Sequence, residues 1–453
     1  MSADDLIDEG IRGASALEIA ESLRALIERG GVGAGSALPS VRALADRLAV
    51  NRNTVMAAYR HLAQAGLVVS RGRAGTLVAG PERVAQEGYA TDSVLRDIGT
   101  GNPDAALIPP LHPVLPTIGS RPVLYGEPVI DRDLEAWATE WVRADLGPDL
   151  PLRLTVTSGA SDAIERLLAQ TLTRDDAVAL EDPCFLSSMN TVRLGGYRAV
   201  PVPVDREGMT VDGLRAALAA GVRAVVCTPR AQNPTGASLS AQRATDLRAV
   251  LADHPYVLVI EDDHFSLLSS QPFTSLIGPS HRRYALIRSV SKFLGPDMCL
   301  AVTASDPDTA DRLAMRLSPG TIWVSHLLQR LTHALVTDEA TRAGIRAAAT
   351  HYATRNMAFA QRLVGHGIDA VSGDGLNLWV RVAAPARVVA EQLMRRGWLA
   401  RPGDEFVLSD EAAAFHLRLT VHDLSDADAA RLASDLSAAV DAAAAKESGM
   451  IRS

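Results

Sequence analysis

Short apolar runs alternate with polar turns and helix-like stretches through the middle of this 453-residue chain. The runs cover residues 154–157, 177–180, 224–227, 256–260 and 284–287. Short apolar runs bounded by turns are typical of strands that are buried on both faces. Because strand-like runs and helix-like stretches alternate, the pattern favours a mostly parallel sheet with ligands bound at the carboxyl ends of its strands.

A lysine follows the last of these runs, between small hydroxyl residues. Ser289, Ser291 and Lys292 come directly after the run at 284–287. A lysine amine reacts with a carbonyl group only in a sheltered site where it is partly deprotonated. Taken alone, a lysine after a strand is more often a solvated surface charge, so its interpretation depends on the other strand ends.

The other strand ends carry residue types that could bind a flat, phosphorylated ligand. Gly159 lies in a turn that opens a helix, where backbone amides can bind phosphate, and Phe185 could cover a ring. Asn233 could bond a phenolic oxygen, although Asn-Pro pairs are usually plain turns. Asp262 could pair with a pyridine nitrogen, although a structural carboxylate is an equal alternative. Together with Lys292, these are the parts of a pyridoxal phosphate site.

The first 80 residues have the pattern of a small helical module. Residues 16–29 have helical periodicity, Ser40 can cap a second, short helix, and Asn51 or Asn53 can open a third. Two short strands then flank a turn rich in arginine and glycine. This order is the winged helix-turn-helix pattern, in which the second helix of the turn enters the major groove of DNA.

Basic residues are concentrated in this module, although the whole chain carries a formal net charge of −8. Between Ser36 and Thr76 the only acidic residue is Asp46. The basic residues of the same stretch are Arg42, Arg47, Arg52, Arg60, Arg71 and Arg73. Such a local excess is expected where a protein contacts the phosphates of DNA.

The stretch from the first helix to the wing resembles the DNA-binding domain of the GntR family. The resemblance rests on Leu-Pro-Ser-x-Arg, on Asn-x-x-Thr-Val in the third helix and on Gly-Leu before the wing. It implies DNA contacts by residues of all three parts, namely Arg42, Arg52, Asn53, Thr54, Arg71, Arg73 and Gly75. The alternative is a helical interaction domain with a solvated basic face.

From Ser158 to Arg418 the chain resembles the fold-type-I aminotransferase family. The motifs Asn-Pro-Thr-Gly, Glu-Asp-Asp and Ser-x-Ser-Lys-x-x-x-Pro occur in the family's order. A GntR-type head before such a body resembles the MocR-type bacterial regulators. The resemblance implies an N-terminal winged helix-turn-helix plus an α/β fold-type-I domain that binds pyridoxal 5'-phosphate and forms a homodimer.

The same resemblance assigns roles around the cofactor ring. Lys292 would bind the cofactor aldehyde covalently, Asp262 would pair with the pyridinium nitrogen, and Asn233 would bond the phenolic oxygen. Phe185 would stack on the ring, at a position where the family often has tyrosine. His264 also stands among the ring contacts, where the family usually has tyrosine.

Further roles concern the phosphate and a ligand carboxylate. The phosphate would be held by Gly159, Ala160, Ser161 and Ser289. Tyr125 would reach the phosphate bound by the partner subunit, and Arg418 would take the α-carboxylate of a substrate-like effector through its planar guanidinium. No metal ion is expected at the site.

The chain departs from the family pattern at accessory positions. The phosphate-binding arginine expected seven residues after the lysine is Cys299. The loss of that charge should weaken phosphate binding by about 1–3 kcal/mol. The glycine expected after the Tyr125 stretch is also absent, with Val129 and Ile130 there instead. This pattern favours a sensor over a fast transaminase.

We therefore expect a winged helix-turn-helix domain at residues 1–80, a linker at 81–99 and an aminotransferase-like domain at 100–453. Three cysteines, an odd and sparse set, favour reduced thiols in a cytoplasmic protein. No apolar segment resembles a signal peptide or is as long as a membrane span.

The expected function is transcription regulation through DNA, with pyridoxal 5'-phosphate as effector or prosthetic group. The resemblance is strongest to the MocR branch tied to vitamin B6 salvage, which implies a pyridoxal kinase gene as target and paired half-sites in the operator. The effector would be a B6 vitamer or an amino acid. One alternative is an active aminotransferase with a regulatory head, and another is a large domain that only dimerises.

Overall fold

The computed structural model describes residues 10–65, 67–70, 75–79, 88, 93–119, 121–318, 320, 322–408 and 414–450. The chain divides into two compact units, Met1–Val84 and Ala85–Ser453. Arg71 and Arg73, which the sequence assigns to DNA binding, lie outside the described residues, as does most of the predicted linker.

Among its described residues, the first unit contains three helices and a hairpin in the order that the sequence predicts. They are α1 (Ala16–Glu28), α2 (Val41–Leu48), α3 (Arg52–Gln64), β1 (Val68–Ser70) and β2 (Thr76–Val78). The Ser40 hydroxyl accepts the Ala43 N–H at 3.1 Å and so caps α2. Asn51, rather than Asn53, caps α3, because its side chain accepts the Asn53 N–H at 2.8 Å. The winged helix-turn-helix prediction is confirmed.

One apolar core fixes the angle between the helices of the first unit. Leu23 of α1, Leu44 of α2, and Val55 and Leu62 of α3 are fully buried together. The buried Tyr59 hydroxyl donates to the Pro39 carbonyl at 2.7 Å and ties α3 to the start of α2. The core therefore holds the two helices of the turn as one rigid element.

The second unit begins with strand β3 (Arg96–Asp97), which lies within the predicted linker. Its longer helices are α4 (Arg132–Leu146), α5 (Ala160–Thr171), α6 (Leu186–Leu194), α7 (Val211–Ala219), α8 (Ala241–Leu251), α10 (Pro307–Leu317), α11 (His326–Thr337), α12 (Glu339–Gly365), α13 (Ala386–Met394) and α14 (Asp426–Met450). The short α9 (Ser291–Leu294) lies between α8 and α10 in the chain.

The main sheet of this unit has eight strands in the order β4-β11-β10-β9-β8-β5-β6-β7. They are β4 (Arg153–Thr157), β5 (Ala177–Asp182), β6 (Arg198–Asp205), β7 (Gly208–Met209), β8 (Ala224–Cys227), β9 (Leu258–Asp262), β10 (Tyr284–Ser289) and β11 (Ala301–Ser305). Five neighbours, from β10 to β6, are parallel, and β11 and β7 pair antiparallel. The prediction of a mostly parallel α/β sheet is confirmed.

A smaller sheet of three antiparallel strands follows in the order β12-β15-β14. These strands are β12 (Asn377–Arg381), β14 (Arg401–Pro402) and β15 (His416–Thr420), while β13 (Trp398–Leu399) pairs with β3. The core of this part contains the fully buried Trp398, Leu417 and Leu419. Strand β3 is therefore held in place by β13, which lies in the last third of the chain.

The strand ends set the position of the site. The apolar run at 256–260 becomes a strand only from Leu258, because Tyr256 is solvent-exposed and lies before the paired residues. As a result β9 ends at Asp262, inside the acidic motif, and β10 ends at Ser289. Among the described residues, no helix is long and apolar enough to cross a membrane.

Candidate functional site

A cavity of about 220 Å³ lies at the carboxyl ends of the parallel strands. Its lining comes from the turns after β4, β5, β9 and β10 and from the loop after β8. The lining residues are Ser158, Gly159, Ala160, Ser161, Phe185, Asn233, Asp262, His264, Ser289, Ser291, Lys292 and Cys299. The structure thus brings together nine of the ten residues that the sequence assigns to the cofactor.

Lys292 lies in the short helix α9, directly after β10. Its Nζ is half-buried and donates a hydrogen bond to the Gly101 carbonyl at 2.9 Å. The Ser291 N–H donates to the Ser289 hydroxyl at 3.2 Å, which closes the turn before the lysine. The amine therefore stands at the mouth of a sheltered cavity rather than on the open surface.

Asp262 is the last residue of β9 and faces the cavity. It is 3% exposed, and its Oδ1 has no hydrogen-bond partner among the described residues. Burial raises the pKa of Asp262 to about 7, the Asp263 carboxylate adds to the rise, and the Lys292 ammonium opposes it. A buried, unpartnered carboxylate oxygen is costly unless a ligand supplies a donor there.

The other two carboxylates of the acidic motif do not line this cavity. Glu261 accepts the Leu276 N–H at 2.5 Å and the Ser275 hydroxyl at 2.8 Å. Asp263 accepts from Arg230 at 2.8 Å and from the fully buried Arg288 at 3.0 Å. Because side chains alternate along a strand, one motif supplies both a ligand-facing carboxylate and a buried support.

The phosphate end of the cavity is formed by the turn between β4 and α5. Gly159 has φ +91° and precedes the first residue of α5, so the amides of the first turn face the cavity side. A Cβ on Gly159 would lie 3.4 Å from the Cys299 sulfur, so a side chain there would fill the cradle. The Cys299 thiol donates to the Ser158 carbonyl at 3.2 Å.

Two rings and an amide line the remaining walls. Phe185 and His264 have nearly parallel planes, 11° apart, with centroids separated by 6.5 Å. The Asn233 side chain reaches the same cavity and accepts a hydrogen bond from the Arg418 Nη1 at 3.3 Å. These walls fit a flat aromatic ring with a polar edge.

Two residues assigned from the sequence do not line the cavity. Arg418 on β15 is fully buried, with its Nη2 donating to the Gly99 carbonyl at 2.5 Å and its guanidinium stacked 4.7 Å from the Phe406 ring centroid. Tyr125 is 85% exposed and its ring contacts Trp323 at 5.5 Å. The exposed position of Tyr125 is compatible with a role at a partner subunit, which stays a prediction.

The described residues assigned to DNA contact lie near the turn of the first unit. Arg42, Arg52 and Asn53 are exposed at the beginnings of α2 and α3, and Thr54 is half-buried. Gly75 is exposed before β2 with φ +83°, a conformation that favours glycine. The first turn of α3 has no acidic residue, so Arg52 and the positive end of the helix dipole give it a positive character.

Sequence reasoning did not identify the backbone carbonyls of Gly99 and Gly101, which meet Arg418 and Lys292. Backbone oxygens leave no signature of residue type. The available signal is the pair of glycines in Ile98-Gly-Thr-Gly-Asn102, which the predicted boundary at residue 99 divides between the linker and the second domain.

The residues of the cavity fit pyridoxal 5'-phosphate. Asp262 offers an unpartnered buried oxygen, Gly159 leaves a cradle that a side chain would fill, and Lys292 offers an amine. The lining contains no arginine among the described residues, so the phosphate end lacks a fixed guanidinium.

Comparison with known proteins gives two family matches. The model of bacterial regulatory proteins of the gntR family matches residues 15–78. The model of aminotransferase class I and II matches residues 123–436. The two matches follow each other along the chain without overlap.

Individual relatives share both parts. The chain is 46% identical over 94% of its length, and 98% of the relative, to the vitamin B6 salvage pathway transcriptional repressor PtsJ of Salmonella typhimurium. It is 25% identical over 85% of its length, and 84% of the relative, to the probable rhizopine catabolism regulatory protein MocR of Rhizobium meliloti. The kynurenine aminotransferase of Pyrococcus horikoshii superposes with a TM-score of 0.70 at 19% identity, covering 77% of this chain and 91% of that chain, which shows the fold alone.

Proposed function

Because this chain belongs to the aminotransferase class I and II family and carries the DNA-binding domain of GntR-family bacterial regulators, we propose that it is a transcriptional regulator that senses pyridoxal 5'-phosphate. Regulators of the GntR family bind DNA, and aminotransferases of class I and II generally bind this cofactor. The proposal joins DNA binding and cofactor binding in one molecule, in which the second unit binds the ligand.

The observation that carries the proposal is the cavity at Lys292. The chain has 45 lysines and arginines, of which only Lys292 and Lys446 are lysines. A chain that uses arginine almost everywhere for positive charge has a lysine in the lining of this cavity. An amine can form a Schiff base with an aldehyde there, whereas a guanidinium stays protonated. When bound, the cofactor supplies an aldehyde carbon that a neutral amine can attack with loss of one water.

Each wall of the cavity has a defined task toward that group. Lys292 would present the amine, and the unpartnered oxygen of Asp262 would accept a hydrogen bond from a donor on the ring. Asn233 would orient the ring through its amide. The amides after Gly159, with Ala160, Ser161 and Ser289, hold the phosphate. Phe185 and His264 cover the ring and keep water from it.

We propose vitamin B6 salvage as the regulated process. The relative PtsJ carries that process in its name, and the chain matches nearly all of it. A ligand that is itself a B6 vitamer would close a feedback loop in which the product of salvage sets the transcription of a salvage gene, such as one for a pyridoxal kinase. Such a regulator acts on the chromosome, so we place it in the cytoplasm.

A homodimer is compatible with the roles proposed for both units of the chain. Leu124 and Tyr125 are exposed apolar residues in the segment that would reach a partner's phosphate site. Two heads in one dimer would bind paired half-sites in the operator, since the symmetry of a dimer is matched by that of its DNA. The head residues proposed for contact are Arg42, Arg52, Asn53, Thr54, Arg71, Arg73 and Gly75.

The decisive experiment is a titration of the purified protein with pyridoxal 5'-phosphate, followed by visible absorption and borohydride reduction. We expect a new absorption band and, after reduction, a stable adduct on Lys292. Lys446→Ala is a matched control, because it removes the other lysine and should leave the band unchanged. A band that persists in Lys292→Ala, or no binding by the wild type, would contradict the proposal.

A second candidate function is aminotransfer with regulation by the head. It is favoured by Lys292 and Arg418, since an amine and a carboxylate-binding guanidinium are both retained. Sustained turnover of an amino acid with a keto-acid acceptor would support it. If instead Lys292→Ala leaves the response of DNA binding to the vitamer unchanged, the second unit serves only as a dimerisation platform.

A further inference from the structure

Residues 97–101, which we call the strap, run along one side of the ligand site. The strap follows β3 and is buried at Ile98, Gly99 and Gly101. The Ile98 N–H donates to the Leu399 carbonyl at 2.9 Å, and the Ile98 carbonyl accepts the Thr420 N–H at 2.7 Å. One edge of the strap is therefore fixed to residues of β13 and β15.

Two carbonyls of the strap contact the side chains of Lys292 and Arg418. The Gly101 carbonyl accepts from Lys292 Nζ at 2.9 Å, and the Gly99 carbonyl accepts from Arg418 Nη2 at 2.5 Å. A hydrogen bond to a charged group contributes about 1.5–3 kcal/mol. The strap thus occupies the groups that a ligand aldehyde and a ligand carboxylate would need.

The close approach of the strap requires glycine. A Cβ on Gly99 would lie 2.7 Å from Cγ of Arg401 and 3.2 Å from its backbone nitrogen. Gly101 has φ +66°, in the left-handed region that side chains disfavour. Both carbonyls therefore reach the cations because neither residue has a side chain.

We propose that the strap competes with ligands for Lys292 and Arg418, so that ligand binding loosens it. The inference rests on the proposed function, because it needs the vitamer aldehyde to engage Lys292. An amine engaged by the aldehyde no longer donates to Gly101 as an ammonium group. A carboxylate that binds the Nη2 edge of the fully buried Arg418 competes there with the Gly99 carbonyl.

The two contacts divide ligands into classes. A vitamer with an aldehyde and no carboxylate releases the contact at Gly101 and leaves that at Gly99. A compound with an α-carboxylate competes with Gly99 for Arg418 as well, so the Gly99 contact disfavours amino acids in the resting state. A phosphorylated vitamer without an aldehyde releases neither contact.

The position of the strap in the sequence allows its release to affect neighbouring elements of the second unit. It comes directly after β3, which pairs with β13 and is the first described strand of the second unit, so its release loosens the residues next to that strand. A segment that is tethered in one ligand state and loose in another is a two-state element, which coupling between sites requires.

Hydrogen exchange of the full-length protein, followed by mass spectrometry, tests the inference. The reporter is the peptide that contains the Ile98 and Gly101 amides, which donate to Leu399 and to the Thr420 hydroxyl at 2.9 Å each. The probes are pyridoxal 5'-phosphate and the analogue in which a methyl group replaces the aldehyde. We expect exchange to rise about tenfold with the aldehyde and to stay within about twofold of the ligand-free protein with the analogue.

This result would be unusual, because a bound ligand commonly slows exchange near its site. Absorption of the same samples reports binding independently. Binding of the aldehyde without faster exchange would contradict the proposed competition by the strap and would leave the proposed function standing. No binding would contradict the proposed function. Equal exchange with the aldehyde and with the analogue would also contradict the proposed competition by the strap.

A variant that loosens the strap without touching the cavity provides a second measurement. Thr420→Val removes the hydroxyl that accepts the Gly101 N–H and should raise exchange before any ligand is added. Thr303→Val is the matched control, since the Thr303 hydroxyl is buried in the main sheet without a partner among the described residues. Slow exchange in ligand-free Thr420→Val would count against the proposed tethering.

Discussion

At the scale of single residues, the side chains that line the cavity lie at strand ends, and two backbone carbonyls hold Lys292 and Arg418. Lys292, Asp262 and Asn233 were identified because their residue types follow strand ends, and the structure places them at one cavity. The Gly99 and Gly101 carbonyls were missed because a backbone oxygen is present at every position. The full burial of Arg418 was also unforeseen, since one of its partners, the Gly99 carbonyl, lies 319 residues earlier in the chain.

Cys299 provides a test of the phosphate end. Cys299→Arg should strengthen binding of pyridoxal 5'-phosphate about tenfold, because a guanidinium there can make a charge-assisted hydrogen bond worth about 1.5–3 kcal/mol. A fluorescence titration with the vitamer measures the dissociation constant. Cys299→Ser keeps the size without the charge and should match the wild type. Equal affinity in Cys299→Arg would mean that the phosphate does not lie beside this residue.

At the scale of elements, local signals located the helices well and the short strands poorly. Ser40 and Asn51 cap α2 and α3 by side-chain hydrogen bonds, which sequence patterns detect. Strand β3 has only two residues and forms because β13 offers it a parallel partner from the far end of the chain. A strand that depends on so distant a partner has no local pattern to reveal it.

The recognition helix gives a prediction at this scale. Arg52→Ala at the start of α3 should weaken binding to a random-sequence duplex and lower the salt dependence of log K by about 0.9 if Arg52 contacts a phosphate. Arg29→Ala, an exposed arginine at the end of α1, is the control that should change neither quantity. Fluorescence anisotropy at several salt concentrations measures both. An unchanged slope in Arg52→Ala would remove it from the DNA contacts.

At the scale of the whole molecule, buried acids link stability to pH. Burial raises the pKa values of Glu181, Glu261 and Asp262 to about 7 each. Because the unfolded chain ionises these groups near pH 4, the folded state holds extra protons between about pH 4 and 7. Their contribution to stability is therefore fully present below about pH 4 and is lost as the pH rises through about 7.

Asp262→Asn isolates the contribution of one of these buried acids. Relative to the wild type, the variant should gain stability from pH 5 to pH 8, on the order of 1–3 kcal/mol, because the amide has no proton to lose. Urea unfolding of the larger unit at four pH values measures the difference. Parallel stability profiles for the two proteins would mean that Asp262 ionises normally. Bound vitamer should reduce the difference by giving the carboxylate a donor.

The distribution of cysteines makes the protein a reporter of its own occupancy. Cys184 and Cys227 are buried, whereas Cys299 is exposed at the phosphate end of the cavity. A thiol-reactive fluorophore should therefore label one position per native chain, at a rate that falls as the cavity fills. Labelling kinetics of the purified protein would then measure the occupancy of the cavity at each vitamer concentration, through a residue that replaces the expected arginine.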